Sequence, residues 1–313
     1  MPSGTNRWKN ILWARRDRGA IPRLALATSS PSEEKSNLKQ ISLIIPVNSE
    51  DALSSAFEAT TRSLPSSNTS RSLGGCGVAE VLVVNNCASF AEGCNKEAEK
   101  AKGEYLAFLK PGVVLSDVWL KNIEVALDEE HKGYHKAACG LVLNENGLIW
   151  HCWVAFDINN APYSIYRFLP LEMVGRQRIV KAAQGPFVVS RGTFLEVGGF
   201  STDLYRFEDI DLCLKLGQVG NKDRLSVGKI LYVPGAVSLR VADSWRPTPE
   251  QDLVSRARFF ARWAGKIGQD DIRYMTEDGL DFNKITALYR ELAARAVVGA
   301  TQAIANSIME EPI

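Results

Sequence analysis

The fold of this chain is decided by Gly198-Gly199-Phe200, followed shortly by Phe207-Glu208-Asp209-Ile210-Asp211-Leu212-Cys213-Leu214-Lys215. A Gly-Gly turn that leads into an acidic cluster at a helix start would set carboxylates at the mouth of a pocket. Carboxylates whose directions are fixed in this way suit proton transfer. The alternative is that the acids only complement the helix dipole and pair with Lys215. The remaining sequence decides between the two interpretations.

Composition excludes several classes of protein. The 313 residues carry a formal net charge of +1, which argues against a nucleic-acid-binding protein. No uninterrupted apolar stretch approaches the roughly 20 residues that span a bilayer. The six cysteines have neither disulfide-framework nor metal-ligand spacing. We therefore expect buried free thiols and a reducing, cytoplasmic location.

The first 38 residues differ from the rest of the chain. They are rich in Arg and Lys, with Trp8 and Trp13 between the basic residues. Three interpretations stay open: an organelle transit peptide, a basic arm that makes peripheral contact with anionic membrane, or a disordered tail without a role. We place the main domain at residues 39–250 and a helical C-terminal extension at residues 251–313.

Strands and helices alternate along the first half of this domain. The predicted strands are Ile41–Val47, Val78–Val84 and Glu104–Leu109. The helices between them are predicted at 51–62 and in the Ala/Glu/Lys-rich segment that ends near Gly103. This alternation predicts an α/β fold with a parallel sheet and helices on both faces. Because such sheets bind ligands at the carboxyl ends of their strands, the loops at Asn48, Asn85 and Lys110 should converge on one crevice.

The second half holds short aromatic strands, an apolar strand at Lys181–Ser190, and a terminal strand at Lys229–Pro234 that precedes Ser238-Leu239-Arg240. From Gln251 onward the pattern is helical. No GxGxxG follows the first strand, and no GxxxxGKS occurs. A dinucleotide-binding dehydrogenase and a P-loop NTPase are therefore disfavoured.

Several short motifs occur in a fixed order. They are Ile44-Ile45-Pro46-Val47, Val83-Val84-Asn85-Asn86, Asn95 with Ala101–Leu109, Gly185–Arg191, Val197-Gly198-Gly199-Phe200, Glu208-Asp209-Ile210-Asp211-Leu212 and Tyr232-Val233-Pro234. From about Ile41 to Trp263 the chain resembles the family 2 glycosyltransferases of the GT-A fold, in particular the rhamnosyltransferase-like bacterial branch. The resemblance implies a Rossmann-like mixed, mainly parallel sheet flanked by helices, with the helical extension beyond it.

The resemblance also implies a function. Such proteins move a sugar from a nucleotide-sugar donor to a glycan or lipid-linked acceptor, usually with inversion, as in polysaccharide biosynthesis. Asp209 would be the general base, with Glu208 beside it. The residues implied at the nucleotide-sugar end are Pro46, Val47, Asn48, Glu50, Asn85, Asn86, Asn95, Lys110 and Arg240. The residues implied at the sugar and acceptor end are Trp153, Gly185 and Asp211.

The chain departs from the family at three positions that concern the nucleotide diphosphate. Asn85 stands where an Asp usually contacts the base or ribose, Gly112 replaces the metal-binding Asp, and Arg240 replaces a late histidine. Mg²⁺ or Mn²⁺ is the family norm, but we assign no metal ligand here and expect no required cofactor. Lys110 and Arg240 bring cations to this place, and fixed cations can stabilise a diphosphate. Metal-independent transfer fits these changes, and so does a catalytically inactive protein that binds a glycan, nucleotide or protein partner.

Overall fold

The computed structural model of the chain describes residues 40–48, 77–129, 137–219, 229–242 and 245–281, apart from 86, 117 and 170, and parts of 283–294. The basic arm, the predicted helix at 51–62, Glu50 and Asn86 lie outside the described residues. The proposed domain boundaries therefore stay predictions.

The strands are short and mostly buried. In chain order they are β1 Gln40–Pro46, β2 Gly77–Val84, β3 Tyr105–Phe108, β4 Val113–Leu115, β5 Ala137–Leu143, β6 Ile149–His151, β7 Val154–Phe156, β8 Pro162–Ser164, β9 Arg178–Val180, β10 Phe187–Ser190 and β11 Ile230–Arg240. The helices are α1 Phe90–Lys100, α2 Trp119–Glu129, α3 Arg191–Glu196, α4 Glu208–Gln218, α5 Pro249–Trp263 and α6 Asp271–Glu277, with a 3₁₀ turn at Leu171–Val174.

Within the described residues, nine strands form one mixed sheet, whose main path runs β2-β1-β3-β10-β5-β11-β4. β1 pairs in parallel with β2 and β3, and β5 pairs in parallel with β11, whereas β10 is inserted antiparallel between β3 and β5. β6 and β9 add to β5 and β11, and β7 and β8 form a separate hairpin. The mixed α/β architecture with a mainly parallel central sheet flanked by helices is confirmed.

The sheet is covered on both faces, as its apolar strands predict. Ile44 of β1 packs into one core cluster with α1 and α4, while Leu43 and Ile45 pack into a second cluster with α2. A strand buried on both sides reads as a continuous apolar run, which is why Ile41–Val47 was recognisable. Each such aliphatic side chain stabilises the fold by about 1.5–3 kcal/mol through burial.

Two strand predictions need correction. Only Phe187–Ser190 of the predicted strand Lys181–Ser190 is a strand, because Gly185 adopts φ +100 and turns the chain before it. The terminal strand, predicted at Lys229–Pro234, continues to Arg240, and its pairing with β5 shifts register between Tyr232 and Val237. This irregularity lets β11 reach the end of the sheet, where Arg240 lies.

Gly140 of β5 lies opposite this irregularity. A Cβ at this position would lie 2.0 Å from the carbonyl oxygen of Ala236 and 2.7 Å from Nε1 of Trp119. We expect Gly140→Ala to lower the free energy of unfolding by about 2 kcal/mol or more, because backbone and indole must both move. Urea denaturation of the two proteins measures the difference.

Gly192 in α3 provides the matched control, since a Cβ there would meet nothing within 4 Å. Gly192→Ala should leave stability unchanged or raise it by roughly 0.5–1 kcal/mol through helix propensity. Equal stability of Gly140→Ala and the parent would contradict the close approach of β11 to β5.

Candidate functional site

A cleft of about 610 Å³ lies beside the start of α4. Its walls come from the Lys110-Pro111 turn after β3, from β6, from the Gly185 loop, from residues 205–209, and from the segment that follows β11. These elements are distant in sequence, so the sheet and its connections bring them together. Glu208, Asp209, Gly185, Lys110 and Arg240 all line this cleft. Of the three loops predicted to converge on one crevice, the loop at Lys110 lines it, whereas Asn48 and Asn85 do not.

The acidic helix begins without a side-chain cap. Phe207, at the N-cap position, has a left-handed backbone with φ 68 and provides no side-chain hydrogen bond. The preceding Gly-Gly turn is held by Asn95, whose amide group donates to the carbonyl of Phe200 at 2.8 Å and accepts from its N–H at 2.9 Å. Asn95 therefore positions the turn before the acidic helix, and it does not line the cleft. Its predicted contact with the nucleotide needs correction.

Glu208 and Lys110 form an ion pair. Glu208 is 4 % exposed, and its Oε1 accepts from Nζ of Lys110 at 2.6 Å. Burial by itself would lower the pKa of Lys110, but the nearby carboxylates of Glu208 and Asp209 outweigh it and raise the pKa well above its usual value. Lys110 is therefore permanently charged, and its partner is Glu208, the acid next to the predicted base Asp209.

Asp209 presents the second carboxylate. Its Oδ1 accepts from the N–H of Ile210 at 2.9 Å, and its side chain is hydrogen-bonded to Gln184. Burial and the charge of Glu208 raise the pKa of Asp209 to about 6, although Lys110 opposes the shift. A carboxylate with a pKa near neutrality, held by two hydrogen bonds in a cleft, can accept a proton from a bound hydroxyl group.

Gln184 belongs to a longer hydrogen-bond chain. Its Oε1 accepts from Oγ of Ser164 at 3.3 Å, and Nδ1 of His151 lies 2.5 Å from the same hydroxyl oxygen. His151, Gln184 and Asp209 line the cleft. These hydrogen bonds orient the amide of Gln184 toward Asp209. Nothing in the sequence pattern singles out Gln184 for this position.

Two arginine side chains lie over one aromatic ring in the cleft. The guanidinium carbon of Arg167 lies 3.6 Å from the ring centroid of Trp150, and that of Arg240 lies 4.1 Å from the same centroid. Arg240 ends β11 and is in register with Val113 of β4. Arg240 is among the residues predicted at the nucleotide-sugar site, whereas no sequence pattern singles out Arg167, which lies between the short strands.

A smaller pocket of about 250 Å³ adjoins the cleft and shares Tyr205, Glu208 and Trp245 with it. Asn48, after β1, lines this pocket. The carbonyl of Pro46 accepts from Nε1 of Trp245 at 3.0 Å. The loop after the first strand thus meets the segment after the last one, which places one edge of the pocket where a nucleotide is expected.

Other predicted nucleotide contacts are not brought to either cavity. The N–H of Val47 donates to the carbonyl of Val84 at 2.8 Å and extends the β1–β2 ladder. Asn85 is exposed and lines neither the cleft nor the smaller pocket. Val47 and Asn85 therefore continue the sheet edge without contributing to the walls.

Trp153 and Asp211 require correction as sugar or acceptor residues. Trp153 is 0 % exposed and packs against Tyr166, Tyr232 and Tyr274. Asp211 is also 0 % exposed, and its carboxylate accepts hydrogen bonds from three side chains, which are Ser201 at 2.6 Å, Arg262 at 2.7 Å and Trp263 at 2.8 Å. Both residues hold the core together and do not reach the cleft.

The residues at the expected metal position do not fit a divalent cation. Gly112 has φ +83, and a Cβ there would lie 2.8 Å from both Cβ and the carbonyl oxygen of Ala242. Its own carbonyl accepts from the N–H groups of Val241 and Ala242. A carboxylate side chain at residue 112 would therefore displace the end of β11. In the part of the chain that the structure describes, no three His, Cys, Asp or Glu side chains are grouped so that they could hold a metal ion.

The comparisons with known proteins bear on the fold. No protein-family model matches the chain, and no curated protein matches it. Among solved structures, the chain is similar to GalNAc-T7 with UDP, GalNAc and Mn²⁺, at a TM-score of 0.51 and 18 % sequence identity. The match covers 73 % of this chain and 50 % of that one, so this chain corresponds to half the length of the solved one. The chain has a GT-A fold. Across the described residues, none of the helices has the length and apolar character needed to cross a membrane.

The electrostatics of the GT-A cleft can be tested at Asp209. Glu208→Gln removes the adjacent negative charge and releases Lys110, and both changes favour the ionised form of Asp209. We therefore expect the pKa of Asp209 to fall below about 6. Carboxyl ¹³C NMR titration of Asp-labelled protein measures it. Glu196→Gln, a matched change on the exposed end of α3, should leave it unchanged; an unchanged or higher value in Glu208→Gln would contradict the described contacts.

Proposed function

We propose that this protein is a glycosyltransferase that moves a sugar from a nucleotide-sugar donor to a hydroxyl group of a glycan or lipid-linked acceptor. The observation that carries this proposal is Asp209, a hydrogen-bonded carboxylate of raised pKa in the cleft of a GT-A fold. Fold alone does not determine function, so the site has to support the chemistry. That support comes from the position of Asp209 in the cleft and from the adjoining smaller pocket, which Asn48 lines after the end of β1.

The proposed reaction is a single displacement with inversion. Asp209 takes the proton of the acceptor hydroxyl group, and the oxygen of that hydroxyl group attacks the anomeric carbon of the donor sugar. The bond from that carbon to the phosphate oxygen breaks, and its electron pair leaves with the nucleoside diphosphate. Gln184 and the N–H of Ile210 hold the carboxylate toward the attacking oxygen, which is the geometry that general-base catalysis requires.

Assignment to family 2 and its rhamnosyltransferase-like branch, transfer of a hexose and a place in polysaccharide biosynthesis belong to the proposal as well, because they depend on the sequence motifs. So do a cytoplasmic location and peripheral membrane contact through the basic N-terminal residues. Transfer without a metal ion is supported by Gly112, where there is no space for a carboxylate.

One set of observations favours a second candidate, a catalytically inactive relative that binds a glycan, a nucleotide or a protein partner. Gly112 and Arg240 depart together from the metal-binding pattern, and Lys110 is engaged by Glu208. In that protein the acids would persist as a helix-start feature only. Sugar transfer or donor hydrolysis by the purified protein would exclude this candidate.

Asp209→Asn should lower turnover by about 10²-fold or more, because the amide cannot accept the proton. Released nucleotide is measured after incubation with a panel of UDP-, GDP- and dTDP-sugars. Asp281→Asn is the matched control, since Asp281 has a side chain that is 60 % exposed and lies away from the cleft lining. Near-parental activity of Asp209→Asn would contradict the assignment of the base.

The pH dependence of kcat/KM gives an independent check. Asp209 acts as a base only when ionised, so the rate should fall about tenfold per pH unit below a midpoint near its raised pKa of about 6. Glu208→Gln should move this acidic limb to lower pH. A limb near pH 4, the usual range of an Asp, would show that the group that titrates is not the perturbed Asp209.

A further inference from the structure

Two guanidinium groups share one indole ring in the cleft. Arg167 and Arg240 both lie within about 4 Å of the centroid of Trp150, at 3.6 and 4.1 Å. Two guanidinium groups that close to one centroid would overlap on the same face, so the contacts leave one for each face of the ring. Trp150 is therefore occupied on both faces, which removes it as a stacking platform for a sugar and makes it a spacer between two cations.

Stacking determines what the two cations can do. A guanidinium group that stacks uses its planar face, whereas its N–H donors point outward in the plane and suit two oxygens of a phosphate group. Trp150 orients both groups before a ligand binds. An anion that contacts both guanidinium groups therefore gains charge-assisted hydrogen bonds without having to order the two side chains.

The pair lies where the leaving group of the proposed reaction is expected. Arg240 is in register with Val113, directly after the turn at Gly112, where the resemblance implies a metal-binding carboxylate in related proteins. Arg167, Arg240 and Asp209 line the same cleft. Lys110 lines it too, and its ammonium group pairs with Glu208 at 2.6 Å.

We infer that Arg167 and Arg240, positioned by Trp150, bind the diphosphate of the nucleotide-sugar donor in the place of a divalent cation. This inference rests on the proposed function for the identity of the donor. When the bond between the anomeric carbon and the phosphate oxygen breaks, the diphosphate gains one negative charge. The two guanidinium groups stay protonated and stabilise that charge through hydrogen bonds, so no further reactant is needed. Trp150 touches neither reacting atom and is a positioning residue.

Inorganic pyrophosphate is the probe, because it provides the diphosphate group of the donor without a sugar or a base. Calorimetric titration of the full chain in EDTA should show binding, and Mn²⁺ should not strengthen it. Arg167→Gln and Arg240→Gln should each weaken the affinity about tenfold or more, as expected for loss of a charge-assisted hydrogen bond. Failure of the parent chain to bind, or a strong requirement for Mn²⁺, would overturn the inference.

Arg206→Gln is the matched control. Arg206 lines the same cleft, but it lies over the ring of Phe207 and not over that of Trp150, and it pairs with Asp252 at 3.0 Å. Its replacement should change the pyrophosphate affinity less than twofold. A loss equal to that of Arg167→Gln would mean that pyrophosphate responds only to the net charge of the cleft, which overturns the inference.

Trp150→Leu tests the positioning role, because it removes no charge. It should weaken pyrophosphate binding and leave the pKa of Asp209 unchanged by NMR, whereas Trp150→Phe should restore part of the affinity. Circular dichroism confirms that each variant is folded. Arg167→Lys is a milder change, and it should recover less than half of the affinity that Arg167→Gln loses. Unchanged binding in Trp150→Leu would contradict the role of the indole.

The inference and the proposed function can fail separately. Pyrophosphate binding that depends on Arg167 without sugar transfer from any donor would refute the transferase and support the anion site. Turnover that depends on Asp209 but is insensitive to Arg167→Gln would support the transferase and refute the anion site.

Discussion

The buried carboxylate of Asp211 fixes the position of α4. It is inaccessible to solvent and accepts hydrogen bonds from Arg262 and Trp263 at the end of α5 and from Ser201 after the Gly-Gly turn. Leaving such a charge without a partner costs about 3–5 kcal/mol, so the three segments keep one relative arrangement. Because Glu208 and Asp209 stand at the start of the same helix, their directions in the cleft depend on this contact.

Glu208 and Asp209, at the start of α4, lie in different environments. Glu208 turns inward to the ammonium group of Lys110, while Asp209 faces the cleft beside Gln184. The charge of Glu208 raises the pKa of Asp209, and Lys110 limits the rise. One residue of the pair thus sets the electrostatics and the other has the exposure and pKa of a base. This explains why a helix start, which ordinarily favours ionised carboxylates, can carry a carboxyl group that titrates near neutrality.

The sequence predicts the fold better than the site, and particular residues show why. Continuous apolar runs such as Ile41–Val47 identify buried strands independently of their partners. The direction in which a side chain points depends on strand pairing, which the sequence does not reveal. Trp150 and Trp153 therefore look equivalent in sequence, although one lines the cleft and the other lies in the core. Pro234-Gly235 resembles a break, yet β11 continues through it with a register shift.

Gly112 and Arg240 are coupled in space. The carbonyl of Gly112 accepts from the N–H groups of the two residues that follow Arg240, and a side chain at residue 112 would push that segment away. Because residue 112 has no side chain, the segment that follows Arg240 can approach the turn, and Arg240 at the end of β11 lies in the wall of the cleft. Gly112 and Arg240 are therefore better understood as parts of one arrangement of the cleft wall than as two independent features.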